Sequence, residues 1–225
     1  MKIWKLIRRC VWGRGLLDLD RISEDFPAAL IRRYRAADLE SCRQIYLSND
    51  NGQFPKDCVQ NFEDNLQSDG TLTLVLELDG KVIGSGGIAL YEYSDDIEIA
   101  VISFGFVHPK YHKQGYGMLM LAYRLSLLSV ARGVRIVSMT SAGNGTEKFF
   151  KNLGFQFIER SEVESGLELD HYYLRLPPSD IDRLRSRISD SPVQIDPDAH
   201  CAIPTNDKRE EYEKMLAEQE ESEEP

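Results

Sequence analysis

Leu72, Leu74, Leu76 and Leu78 alternate with Thr73, Val75 and Glu77, and Asp79-Gly80 separates this run from a second extended one, Lys81 to Tyr93. Side chains on a strand point to opposite faces in turn, and Asp-Gly suits a two-residue turn, so the pattern predicts an antiparallel hairpin. Ile97 to Val107 is nearly all apolar, as a strand covered on both faces should be, which predicts the central strand of a sheet. Upstream, Ala29 to Tyr34 reads as a short strand, followed by a helix with Asp38 as its cap, and Phe54-Pro55 opens a helical stretch to about Gln67. Downstream, Met118 to Ala131 carries Leu119, Tyr123 and Leu127 on one side and Met118, Leu121, Leu125 and Leu128 on another, with Gly133 as the stop. That spacing predicts a mostly buried helix. Ile136 to Thr140, Phe155 to Arg160 and Leu169 to Leu176 read as strands, and Thr146 to Leu153 as a helix ended by Gly154.

The two ends read differently. In Met1 to Trp12, Ile3, Leu6, Ile7, Cys10 and Val11 form one stripe while Lys2, Lys5, Arg8 and Arg9 fall on other faces, the pattern of a basic amphipathic helix. Such a stripe is expected to dock on its own domain or on a second subunit, as in a homodimer, with contact at a membrane surface as the alternative. After Pro177-Pro178 the chain has few large apolar residues, and its last 20 residues hold nine acids against three bases. That composition predicts a flexible acidic tail with a transient helix near Glu210 to Glu218. The expected organisation is therefore 1–28 as an N-terminal segment, 29–178 as the folded domain and 179–225 as the tail.

Charge and cysteine content narrow the function classes. At 225 residues, 42% apolar and 28% charged, the chain can build one ordinary core. Its formal charge of -10 argues against broad contact with nucleic-acid phosphates and suits a cationic substrate better. Cys10, Cys42, Cys58 and Cys201 have neither CxxC spacing nor a nearby histidine cluster, so neither a metal site nor a disulfide framework is expected. With no long apolar run and no signal-peptide pattern, the expected compartment is the cytoplasm.

The chemistry sits in "ISFGFVHPKYHKQGYGMLMLAYRLSLLSVARG", where an apolar strand runs through Val107, turns at Pro109 and reaches Gly115-Tyr116-Gly117 at the mouth of a helix. Free N–H groups and the positive dipole end at a helix start can hold a phosphate, and glycine lets the ligand approach. A Walker loop would need GK[ST], but Met118 follows Gly117, and a dinucleotide fingerprint would need glycine where Met120 stands.

What remains resembles motif A of the GNAT N-acetyltransferase family: an apolar strand ending in Val-x-Pro, then Gln/Arg-x-x-Gly-x-Gly/Ala, with His112-Lys113-Gln114-Gly115-Tyr116-Gly117 in that place. "NGTEKFFKNLGF" is similar to the family's motif B, with Gly154 and Phe155 matching its Leu-Gly-Phe. The order of elements from Ala29 to Leu176 follows the family's plan as well. The resemblance implies an α/β GNAT fold: a mixed central sheet of about six to seven strands flanked by four helices, with strands four and five splayed apart.

It also implies that acetyl-CoA lies in the splay as co-substrate, with an amine as acceptor. By that likeness the amides of His112, Lys113, Gln114, Gly115, Tyr116, Gly117 and Met118 hold the pyrophosphate, and Lys110 and Lys113 neutralise CoA phosphates. Main-chain groups at Phe106 and Val107 pair with the pantetheine arm, and the Val107 amide polarises the thioester carbonyl. Asn144 and Phe150 fall near the family's CoA-contacting asparagine and tyrosine. The chain departs from the pattern at His112, where Gln or Arg is usual, and at Phe150, which cannot protonate a departing thiolate as that tyrosine does. Glu98 is the first candidate for the general base and Glu92 the second, with His171 as a further one; Tyr91, Tyr93, Tyr172 and Tyr173 are candidate substitute acids. Direct acetyl transfer to a primary amine is the expected reaction, and a catalytically silent acetyl-CoA-binding module is the alternative.

Overall fold

The computed structural model describes residues 15–22, 25–50, 57–129, 134–141, 146–162 and 168–223. The basic stripe at Met1 to Trp12 lies outside the described residues. Seven strands follow the predicted order: β1 (Leu30–Arg33), β2 (Leu72–Leu78), β3 (Lys81–Ser94), β4 (Ile97–Val107), β5 (Val134–Ser141), β6 (Gln156–Glu162) and β7 (Glu168–Leu176). Four helices are interleaved with them, α1 (Leu39–Ser48), α2 (Asp57–Gln67), α3 (Tyr116–Ser126) and α4 (Thr146–Asn152). The sheet runs β6-β7-β5-β4-β3-β2-β1 and is mixed, with β4 and β5 parallel and the other neighbours in this path antiparallel. At the β2–β3 turn Asp79 and Gly80 take φ of 50° and 74°, the left-handed pair that a tight hairpin needs.

Alternation along β2 separates two apolar layers. Leu72, Leu74 and Leu76 join Ala100, Ile102, Leu119, Met120 and Tyr123 on the face that α3 covers. Val75 points the other way, into Cys42, Tyr46, Phe62 and Leu66 from α1 and α2. β4 therefore has apolar layers on both faces, as its nearly continuous apolar run requires.

Both ends of the described chain differ from expectation. Leu17, Leu19, Ile22 and Phe26 are buried in the same cluster as α3, and Arg175 N–H donates to Gly15 O (2.8 Å). A Cβ on Gly154 would overlap the Leu16 carbonyl, and the residue has φ of 90°, so its glycine is required twice over. Where composition predicts a flexible tail, the chain forms α5 (Pro178–Ser189), β8 (Gln194–Ile195), β9 (Thr205–Asp207) and α6 (Arg209–Glu223), of which only α6 falls where a helix was expected, near Glu210 to Glu218. Ile181, Leu184 and Ile188 of α5 are fully buried; this sparse i, i+3, i+7 stripe is enough to seat a helix although the segment's overall composition is polar. β8 adds to the edge of β1, and β9 pairs with β3 past the end of β2. Asp38 stands at the N-cap position of α1 but makes no side-chain capping bond: its carboxylate accepts from Arg32 at 2.7 and 2.8 Å and from the Arg35 N–H.

Candidate active site

β4 and β5 pair only from Ile99 and Arg135 to Ile102 and Ser138. Beyond that row β4 continues along β3 to Val107, while β5 continues along β7 to Ser141, so a gap opens at the C-terminal end of β4. The strand is irregular there. Its ladder with β3 shifts register between Ser85 and Gly87, and Phe104 takes φ of 43°, the marks of a bulge. Past the bulge, His108 N–H donates to Ile83 O (2.8 Å) on the β3 side. Peptide groups aim at opposite edges in turn, so the N–H and C=O of Val107 face the gap. That carbonyl is met by Asn49 Nδ2 at 3.0 Å and His112 Nε2 at 2.8 Å, and the Val107 N–H stands beside it as a donor.

The loop that follows is folded back on this strand end. Pro109–Tyr111 forms one 3-10 turn, Lys113 and Gly115 have φ of 59° and 89°, and Gln114 Nε2 donates to Lys110 O (2.9 Å). Tyr116 is buried with its ring edge-on to Tyr111 at 5.9 Å. α3 then starts with no side-chain cap, which leaves the N–H groups of its first turn to a ligand or to water. A Cβ at Gly117 would meet nothing within 4 Å, so the approach to that turn is open. Met118 packs on the core, and Lys110 Nζ lies 5.6 Å from the centre of the Tyr111 ring. His112 is thus engaged with the Val107 carbonyl, which explains how a histidine fits this position: it closes the loop onto the strand.

On the α3 face, Phe150 stacks on Tyr172 with centroids 5.5 Å apart and planes 18° apart. Tyr172 is fully buried, its hydroxyl has no partner among the described residues, and burial pushes its pKa up to about 12. It pairs with Ser138 of β5, which pairs with Ile102, so it stands level with the start of the gap. Phe106 faces the other layer, against Tyr46 and Phe62 at 5.1 and 5.9 Å. Asn144 lies outside the described residues.

The carboxylate candidates are not brought to the gap. Glu98 sits opposite Glu92 at the N-terminal end of β4, roughly 16 Å of strand from Ser103 at about 3.3 Å per residue. The apolar run identifies a central strand but not which end of it opens, and the opening is at the opposite end. Glu92 is ion-paired with Arg209 at 2.7 Å. His171 pairs with Met139 of β5, one row past the last β4–β5 contact. Its Nε2 lies 2.6 Å from Ser161 Oγ, its Nδ1 is buried without a partner among the described residues, and burial lowers its pKa. Asn49 and Ser161 had no signal in the sequence, because each is defined by a partner on another element. Among the described residues no group of His, Cys, Asp and Glu could hold a metal, and no helix is long and apolar enough to cross a membrane.

A family model described as "Acetyltransferase (GNAT) domain" matches residues 69–157, the stretch that contains the β2–β3 hairpin, the gap, the glycine loop and the Phe150 helix. Over residues 69–157 the chain matches a GNAT acetyltransferase domain. Solved structures agree on the fold. A GNAT-family structure from Desulfovibrio desulfuricans is 17% identical with a TM-score of 0.56, over 66% of this chain and 99% of that one. A GNAT-family acetyltransferase from Staphylococcus aureus is 19% identical with a TM-score of 0.52, over 66% and 99%. Naa50 of Arabidopsis thaliana, solved with the bisubstrate analogue CoA-Ac-MVNAL, is 15% identical with a TM-score of 0.51, over 65% and 98%. Each accounts for almost all of the other protein but leaves about a third of this chain without a counterpart. No curated protein sequence matches the chain.

Proposed function

We propose that the chain transfers an acetyl group from acetyl-CoA directly to a primary amine: a small molecule, a protein N-terminus or a lysine. One observation carries this reading: the β4–β5 ladder ends at Ile102 and Ser138 while β4 runs on through Val107 into a glycine loop that heads an uncapped helix. The gap offers the strand edge to a pantetheine arm, and the first turn of α3 offers N–H groups to the pyrophosphate. The Val107 N–H is the donor for the thioester oxygen as it gains charge.

Attack by the amine nitrogen forms the C–N bond and breaks the C–S bond, whose electron pair leaves on sulfur. Tyr172 is the proton donor to that thiolate: its raised pKa keeps the proton on the phenol at neutral pH, and it stacks on the Phe150 that replaces the expected tyrosine. His171 serves better than Glu98 as the base, since burial favours its neutral form and its Nδ1 has no partner among the described residues. The test is release of CoA thiol from acetyl-CoA across a panel of primary amines. Turnover with at least one amine is expected. Tight CoA binding with no turnover on any amine would contradict it and favour the silent acetyl-CoA-binding module, for which the loss of the usual tyrosine at Phe150 is the supporting observation.

A further inference from the structure

The face that α3 turns to the sheet includes one ionised side chain, Arg124, which is 5% exposed. Its guanidinium reaches the β4 bulge. Nη1 donates to Gly87 O at 3.0 Å and to Ser103 O at 3.2 Å, and Nε donates to Met120 O at 3.2 Å. Glycines make the room: a Cβ on Gly86 would lie 3.0 Å from Cζ, and one on Gly105 would lie 2.9 Å from Nη2. Gly105 itself is exposed and precedes Val107 by two residues, so little beyond its backbone separates the guanidinium from the open edge.

The charge has no counter-ion among the described residues. What surrounds it is Met120 of its own helix, Gly86 and Gly87 of β3, and Ser103 and Gly105 of β4, none of them ionisable. Burial lowers its pKa to about 10, which still leaves it protonated at neutral pH. Burying a cation with only carbonyls for company is costly, and a methionine would fill the same space without that cost. Electrostatic catalysis relies on fixed charges of this kind beside the place where charge develops.

We propose that Arg124 is a positioning residue for acyl transfer, which fixes the β4 bulge and sets its positive charge toward the departing CoA thiolate. The inference rests on the acetyl-CoA reading above. The guanidinium gives and takes no proton. The sulfur leaves with the C–S electron pair, and the nearby cation lowers the free energy of that anion, which eases the demand on Tyr172 as its proton donor.

The experiment is a pH titration of CoA bound to the full chain, followed by thiolate absorbance in the ultraviolet, for wild type, Arg124→Met and Arg124→Lys, with CoA affinity measured by calorimetry. Bound CoA in wild type is expected to titrate at least about one pH unit below free CoA, a tenfold gain in thiolate. Arg124→Met should keep CoA affinity within a few-fold and lose the shift, while Arg124→Lys keeps part of it. A wild-type titration that matches free CoA would overturn the proposal, as would an unchanged shift in Arg124→Met. Should the Met variant not fold, the wild-type comparison with free CoA decides alone. Failure of wild type to bind CoA at all would overturn the acetyl-CoA reading itself, a result distinct from normal binding without a shift.

Discussion

Tyr172 combines a stability cost with a place in the chemistry. A buried hydroxyl without a partner costs about 1 to 3 kcal/mol, so Tyr172→Phe should leave the thermal midpoint unchanged or higher while turnover falls roughly 10²-fold, the usual scale of acid catalysis. A lower midpoint with unchanged turnover would reduce the residue to packing. Phe150→Tyr adds a second phenol beside it and should change kcat while leaving CoA affinity within a few-fold. For His171, burial favours the neutral form, so its pKa lies below the ordinary value of about 6.5. A base must be unprotonated, so kcat should hold as pH falls through 6.5 and decline only below that. In His171→Gln the low-pH limb should vanish along with most of the rate. Gly115, Gly117 and Phe150 were legible because a motif is a local spacing. Asn49 and Arg124 were not, since they act on Val107 and Gly87, 58 and 37 positions away.

Between elements, Arg32 on β1 is a buried polar tie. Its side chain is 8% exposed, and it pairs with Asp38 ahead of α1 and with Glu77 on β2, both at 2.7 Å. Burial alone would raise the Asp38 carboxyl, but hydrogen bonds from Arg32 and Arg35 and the charge of Arg32 outweigh it, and the net shift is downward. That stability is present above the ordinary carboxyl range and is lost as pH falls through the lowered value. Arg32→Ala leaves two carboxylates without their partner and should cost on the order of 3 kcal/mol in denaturant unfolding. An effect under about 1 kcal/mol would mean that water replaces the pair. Hairpin and central strand were readable from periodicity, and the Asp79-Gly80 turn from its residues. The splay was not, because pairing between β4 and β5 depends on residues far apart in sequence, and it was expected only through the family resemblance.

At the scale of the whole molecule, the core extends beyond residues 69–157, the stretch that the family model matches. α5 buries Ile181, Leu184 and Ile188, each worth about 1.5 to 3 kcal/mol, and Arg187 Nη1 donates to Leu19 O and Ile22 O at 2.7 and 2.9 Å. Composition concealed this because three apolar positions in a charged helix hardly change an average. A chain ending at Pro177 should therefore aggregate or lose several kcal/mol. One ending at Asp207 should keep its fold and its CoA affinity. Equal stability of both would show that α5 is dispensable. Calorimetric titration of acetyl-CoA into wild type and Gly117→Asp decides whether the glycine loop and the gap form an acetyl-CoA site. The substituted side chain enters open space, so the variant should fold, yet it sets a carboxylate against the pyrophosphate. Saturable binding by wild type that is lost in the folded variant is the expected result. Equal affinity in both, or no binding by wild type, would contradict the account.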